Sequence, residues 1–124
     1  MHKKKILIVD DEKDILAVLE KRLSGAGYDV VKASSGKEAI ILARKEQPDL
    51  IVLDIVMPEI DGPMVAETLK QDVNTKNIPI IFLTCLLTKK EESRLGHKID
   101  GHFFLAKPFD PEEILAEIKK RLPE

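Results

Sequence analysis

Lys5-Ile6-Leu7-Ile8-Val9-Asp10-Asp11 decides the fold: four large apolar residues in unbroken succession, ending on a pair of acids. A strand wetted on one face alternates apolar and polar residues, whereas a strand of a parallel sheet covered on both faces reads as a continuous apolar run. Asp49–Leu53 and Pro79–Thr84 share that density of Ile, Val and Leu, so the three runs are expected at the centre of a sheet. Tyr28–Ala33 and Gly101–Ala106 mix polar with apolar residues and suit strands at or near its edge.

Helical spacing fills the intervals between these runs, the alternation that marks repeated strand-then-helix units. Ile15, Leu16, Val18, Leu19 and Leu23 recur at helical intervals, which predicts a helix from about Glu12 to Ser24, stopped by Gly25 and Gly27. Ser35 with Glu38 three residues on signals a second helix, carrying Ala39, Ile40, Leu42 and Ala43 and ending before Pro48. A third begins near Pro63 with Val65, Ala66 and Leu69 inward, and the last follows Asp110-Pro111 with Ile114, Leu115, Ile118 and Leu122 on one stripe. Between them, Thr88 to Lys98 has Leu95 as its one large apolar residue and contains Gly96, so a short or mobile helix is expected there.

Length and composition bound the rest. A chain of 124 residues is the size of one domain, spanning 1–124, with no repeat, low-complexity segment or linker. The net charge of −2 argues against a nucleic-acid partner for this domain, and the run Ile6–Val9 behind the basic Lys3-Lys4-Lys5 is too short for a signal peptide or a membrane span. A cytoplasmic location is expected. Cys85 has no second cysteine to pair with and reads as a small apolar side chain.

Open parallel sheets bind ligands beyond the carboxyl ends of their strands, where the strand order reverses. The first strand runs into Asp10-Asp11, the third into Asp54, the fourth into Thr84 and the fifth into Lys107, which puts five polar residues on one edge. Each has a bland alternative, a helix cap for Asp10-Asp11, a loop acid for Asp54, a plain strand end for Thr84, a surface lysine for Lys107, but those alternatives do not explain the common edge. If the first and third strands are neighbours, three carboxylates converge, and a cation is the simplest remedy for their repulsion. Oxygen donors without His or Cys favour magnesium over zinc.

Ile6-Leu7-Ile8-Val9-Asp10-Asp11-Glu12, Leu53-Asp54-Ile55-Val56-Met57-Pro58-Glu59-Ile60-Asp61-Gly62, Leu83-Thr84 and Lys107-Pro108-Phe109 together resemble, in order and over essentially the whole chain, the signatures of response-regulator receiver domains. The resemblance implies a flavodoxin-like, doubly wound α/β fold, with a five-stranded parallel sheet in the order 2-1-3-4-5 and five flanking helices. It implies that Asp54 is the phosphoacceptor. It also implies a bound Mg2+ with Asp11 and Asp54 as direct ligands, Val56 as a ligand through its carbonyl, and Asp10 as a ligand through water. Thr84 and Lys107 would contact the phosphoryl oxygens, and the peptide bond from Lys107 to Pro108 would be cis. Phe104, three residues before the lysine, takes the place of the family's switch aromatic, which fills the space that Thr84 vacates on phosphorylation; a plain core aromatic is the alternative for it. The implied partners are a sensor histidine kinase or histidine phosphotransfer protein, a downstream protein target or an output domain, and a second copy of the chain bound on phosphorylation. The implied role is a switch, not an enzyme, that assists its own phosphotransfer and dephosphorylation.

Departures from the family pattern cluster in one region, with Cys85 after the threonine, Gly96-His97 further on, and Asp100-Gly101-His102-Phe103-Phe104 before the lysine. His97 and His102 have no partner at ligand spacing and read as surface residues. An atypical output surface is therefore expected over the fourth helix, fifth strand and last helix. A flavodoxin-like enzyme or nucleotide binder is the rival from another class, but Asp10-Asp11-Glu12 stands where a phosphate loop needs glycines and hydroxyls. A receiver-like module that takes no phosphate is a second rival, opposed by the presence of all five pocket residues.

Overall fold

The computed structural model describes residues 3–84, 98–99, 102–106 and 110–122. The order of elements is β1 (Lys5–Val9), α1 (Lys13–Gly25), β2 (Asp29–Ala33), α2 (Gly36–Glu46), β3 (Leu50–Asp54), α3 (Gly62–Lys70), β4 (Ile80–Thr84), β5 (Lys98–Ile99), β6 (His102–Ala106) and α4 (Pro111–Arg121). They form an α/β fold around one sheet in the order β2-β1-β3-β4-β6-β5. All neighbours from β2 to β6 are parallel, and β5 alone runs antiparallel to β6.

Side chains alternate across the central strands and so sort the core into two layers. Ile6, Ile8, Leu50, Val52, Ile81, Leu83 and Leu105 pack with Leu16, Leu19 and Leu23 of α1 and Ile114, Leu115 and Ile118 of α4. Leu7, Val9, Ile51, Leu53, Ile80 and Phe82 face the other way, onto Ala39 and Ala43 of α2 and Val65, Ala66 and Leu69 of α3. Burial on both faces is the reason these strands carry no polar alternation, and it contributes about 1.5–3 kcal/mol for each large side chain.

The helix ends follow from local chemistry. The backbone of Gly27 at φ 98° takes the chain out of α1 in a conformation that side chains resist. Ser35 caps α2 by accepting from Glu38 N at 3.2 Å, and the Glu38 carboxylate reaches back to accept from Ser34 N at 2.7 Å, one residue beyond the cap itself. Asp61 caps α3 by accepting from Met64 N at 3.0 Å, and Asp110 and Glu113 form a full capping box on α4. Arg22 of α1 and Glu112 of α4 form an ion pair that joins the two helices of one layer.

The expected strand count needs correction. Among the described residues the sheet has six strands rather than five, because Lys98–Ile99 forms an added antiparallel strand on β6 where the expected fourth helix would have ended. The register pairs Lys98 with Phe103 and Ile99 with His102. Four helices are seen among the described residues; the rest of the stretch expected to form the fourth of five lies outside them, as do Cys85 and His97.

Candidate functional site

Register alone brings the strand ends together. Val9 of β1 is the Cα partner of Leu53 of β3, so Asp10 and Asp54 are the next residues on adjacent strands, which in a sheet lie about 4.8 Å apart. Thr84 ends β4 opposite Ala106, the last residue of β6, while Asp54 stands opposite Leu83. Three of these polar side chains are enclosed: Asp10 is 0% exposed, Asp54 3% and Thr84 1%. Polar groups are rarely buried to this degree without hydrogen-bonding or ionic partners, and three of them stand together at the ends of three adjoining strands whose other buried residues are apolar.

Asp10 has a local role as well. Its Oδ1 accepts from Glu12 N at 2.9 Å, while its own N–H donates to Ala33 O at 3.2 Å, which ties the exit of β1 to that of β2. Glu12, the N-cap residue of α1, makes no side-chain capping bond, so the Asp10 carboxylate, two residues earlier, orders this turn instead. Asp11 and Glu12 are exposed, and the carboxylates of Asp10, Asp11 and Glu12 lie within 4.8 Å of one another. Asp54 ends the neighbouring strand and is not of that group, which adds Glu12 to the acids that the sequence points to. The donor set is all oxygen and carries several negative charges, which suits a hard dication such as magnesium.

The loop Ile55–Asp61 carries the chain from Asp54 to α3. Ile55 N donates to Leu83 O at 2.9 Å, extending the β3–β4 ladder past the acid, and Gly62 N donates back to Ile55 O at 2.9 Å. Met57 is buried in the α2/α3 layer, whereas Val56 is half exposed. Glu59 sits at φ 67°, an uncommon conformation for a residue with a side chain. Sequence reasoning passes over Gly36 and Gly62. A Cβ on Gly62 would stand 2.4 Å from Asp54 O, and one on Gly36 2.6 Å from Ile60 O. The available signal is the position of Gly62 between a capping acid and a helix-starting proline. Lys107 and its bond to Pro108 lie outside the described residues, and of Phe104 only the backbone, in β6, is described.

The sequence model of the response regulator receiver domain matches residues 6–119. The chain belongs to that family. Among solved structures, this receiver domain is similar to the chemotaxis protein CheY4 of Vibrio cholerae, 30% identical, with a TM-score of 0.83 over 98% of this chain and 100% of that one. It is 40% identical over 122 residues to the "Probable transcriptional regulator ycf27" of Porphyridium aerugineum, covering 98% of this chain and 49% of that protein. It is 41% identical over 119 residues to the alkaline phosphatase synthesis transcriptional regulatory protein PhoP of Bacillus subtilis, covering 94% of this chain and 47% of that protein. The receiver domain thus spans about half the length of the curated relatives it matches. Among the described residues, no helix is long and apolar enough to cross a membrane.

Proposed function

We propose that this receiver domain accepts a phosphoryl group on Asp54 and relays its arrival to a partner or to an output domain. The observation that carries the reading is the burial of Asp54, 3% exposed, between the strand that runs into Asp10 and the strand that ends in Thr84. A carboxylate oxygen of Asp54 attacks phosphorus, a P–O bond forms, and the P–N bond of the donor phosphohistidine breaks, leaving the imidazole to recover a proton. The donor is a sensor histidine kinase or a histidine phosphotransfer protein. Asp11 and Asp54, the Val56 carbonyl and, through water, Asp10 would hold Mg2+, with Glu12 near enough to share the charge. The metal, when bound, neutralises the oxygens of the transferred group. Lys107 supplies a fixed positive charge and the Thr84 hydroxyl a hydrogen bond to those same oxygens.

The movement of Thr84 toward the phosphoryl group opens space for Phe104, three residues before Lys107, and so repacks the surface bounded by residues 88–98, β6 and α4. That surface addresses a downstream protein, an output domain or a second phosphorylated copy, in the cytoplasm. The domain itself binds no nucleic acid; its relatives of twice the length are transcriptional regulators by name, so any contact with DNA belongs to a further domain. It is a switch rather than an enzyme, acting on its own phosphoryl group alone. Acetyl phosphate tests the reading: wild-type protein should be labelled in magnesium and not in chelator, and Asp54→Ala should take no label. Full labelling in chelator, or undiminished labelling of Asp54→Ala, overturns it.

A further inference from the structure

Space rather than backbone conformation demands the glycine at position 62. Gly27 is the one described glycine with a positive φ, so Gly62 adopts a conformation open to other residues. An added Cβ there would nevertheless meet Asp54 O at 2.4 Å, Ile55 Cα at 2.8 Å and Asp54 C at 3.1 Å, all of them backbone atoms that no rotamer change can clear. At the other end of the same loop, a Cβ on Gly36 would meet Ile60 O at 2.6 Å and Val65 Cγ2 at 2.9 Å. The first residue of α2 therefore rests on Ile60, and the first residue of α3 rests on the peptide that follows the acid.

We infer that Gly62, braced through Ile60 by Gly36, is a positioning residue that fixes where the Asp54 carboxylate stands, an inference that rests on the phosphoacceptor reading of Asp54. A side chain at position 62 must displace either α3 or the Asp54–Ile55 peptide. α3 resists, since Asp61 caps it and Val65, Ala66 and Leu69 are buried in the core. The Asp54–Ile55 peptide is held by the bond from Ile55 N to Leu83 O and by that from Gly62 N to Ile55 O, both at 2.9 Å, and the second of these moves with Gly62 itself. Contacts under 3.0 Å are essentially never made by a Cβ and ordinary contact begins at 3.4 Å, so the 2.4 Å approach to Asp54 O must open by between 0.6 and 1.0 Å, and a shift of the Asp54–Ile55 peptide carries the acid with it. Misplacing a reacting group by about 1 Å can cost on the order of 100-fold in rate. Val56 stands on the same displaced loop, so its carbonyl moves with it.

The test compares Gly62→Ala, Gly36→Ala and Gly25→Ala in the full chain. Gly25 is the control, because its added Cβ would meet nothing within 4 Å. Labelling rates at saturating acetyl phosphate and magnesium, taken well below the melting temperature of each protein, should fall about 100-fold for Gly62→Ala, less for Gly36→Ala, and not at all for Gly25→Ala. A magnesium titration followed by amide shifts should show weakened binding in the first two. If Gly62 and Gly36 serve the fold alone, both substituted proteins will melt earlier yet label and bind magnesium as the wild type does, and the inference is overturned. Should Gly62→Ala not fold, Gly36→Ala decides, and a wild-type rate in it is again fatal. An unlabelled wild type would remove the phosphoacceptor reading and this inference with it; a labelled wild type beside unaffected glycine substitutions removes this inference only.

Discussion

Replacing Asp10 by Asn should make the metal-free protein more stable and the magnesium-loaded protein less responsive. The three carboxylates of Asp10, Asp11 and Glu12 lie within 4.8 Å of one another, and two unit charges at that distance repel by about 0.9 kcal/mol even at the dielectric constant of water. Asp10 takes part in two such pairs, so losing its charge relieves about 2 kcal/mol, and its enclosure at 0% exposure adds to the gain by removing the cost of burying an ion. Asn keeps an oxygen for the bond from Glu12 N, so the turn into α1 survives. The melting temperature in chelator should rise by about 8 °C for a domain of this size. Adding magnesium should raise the melting temperature of the wild type until it matches or exceeds that of Asp10→Asn, since a ligand that binds only the folded state stabilises it by mass action. The same addition should raise Asp10→Asn much less. An Asp10→Asn protein that melts lower than wild type in chelator, or gains as much from magnesium, would refute the view that these acids form a charge-strained cation site.

Further outcomes follow from the packing and the charges. Leu19→Ala, at a position 1% exposed in the α1/α4 layer, should cost about 2–5 kcal/mol in denaturant unfolding, and a loss under about 1 kcal/mol would mean that α1 does not close that layer. The hydrogen bond from Arg22 holds the Glu112 carboxyl below its ordinary value, and the Asn74 N–H and then Arg44 do the same for Asp72. Depressed folded-state values mean that the unfolded chain binds more protons, so stability from both groups is present above the ordinary carboxylate range, about pH 4, and is lost as pH falls through the lower folded values; Glu112→Gln should flatten that acid slope. Magnesium with beryllium fluoride should change hydrogen exchange across residues 84–109 and leave α1 and α2 nearly unaltered, and changes centred on α1 would move the output surface elsewhere.

The legible part of this protein is the part governed by period and punctuation. Unbroken apolar runs locate β1, β3 and β4 to within a residue, because burial on both faces leaves no place for polar alternation. Ser35, Pro63 and Asp110-Pro111 mark helix starts through chemistry that acts within one turn. The added strand at Lys98–Ile99 escapes such reading, because the expectation of a helix through Lys98 leaves no place for it. Glu12 and the two glycines escape it for another reason. Each owes its role to a distance set by tertiary packing, 4.8 Å or less between carboxylates and 2.4 Å or 2.6 Å from a phantom Cβ to a carbonyl oxygen, and such distances have no period to read.

The central claim is that Asp54 carries the phosphoryl group, and trapping the acyl phosphate with borohydride tests it most directly. Protein treated with acetyl phosphate and magnesium, reduced with borohydride and digested, should show Asp54 converted to homoserine in the peptide that also contains Asp61 and Gly62, with no conversion in chelator. Conversion at Asp10 or Asp11 in place of Asp54, or no converted peptide from protein that has taken up phosphate, would contradict the account.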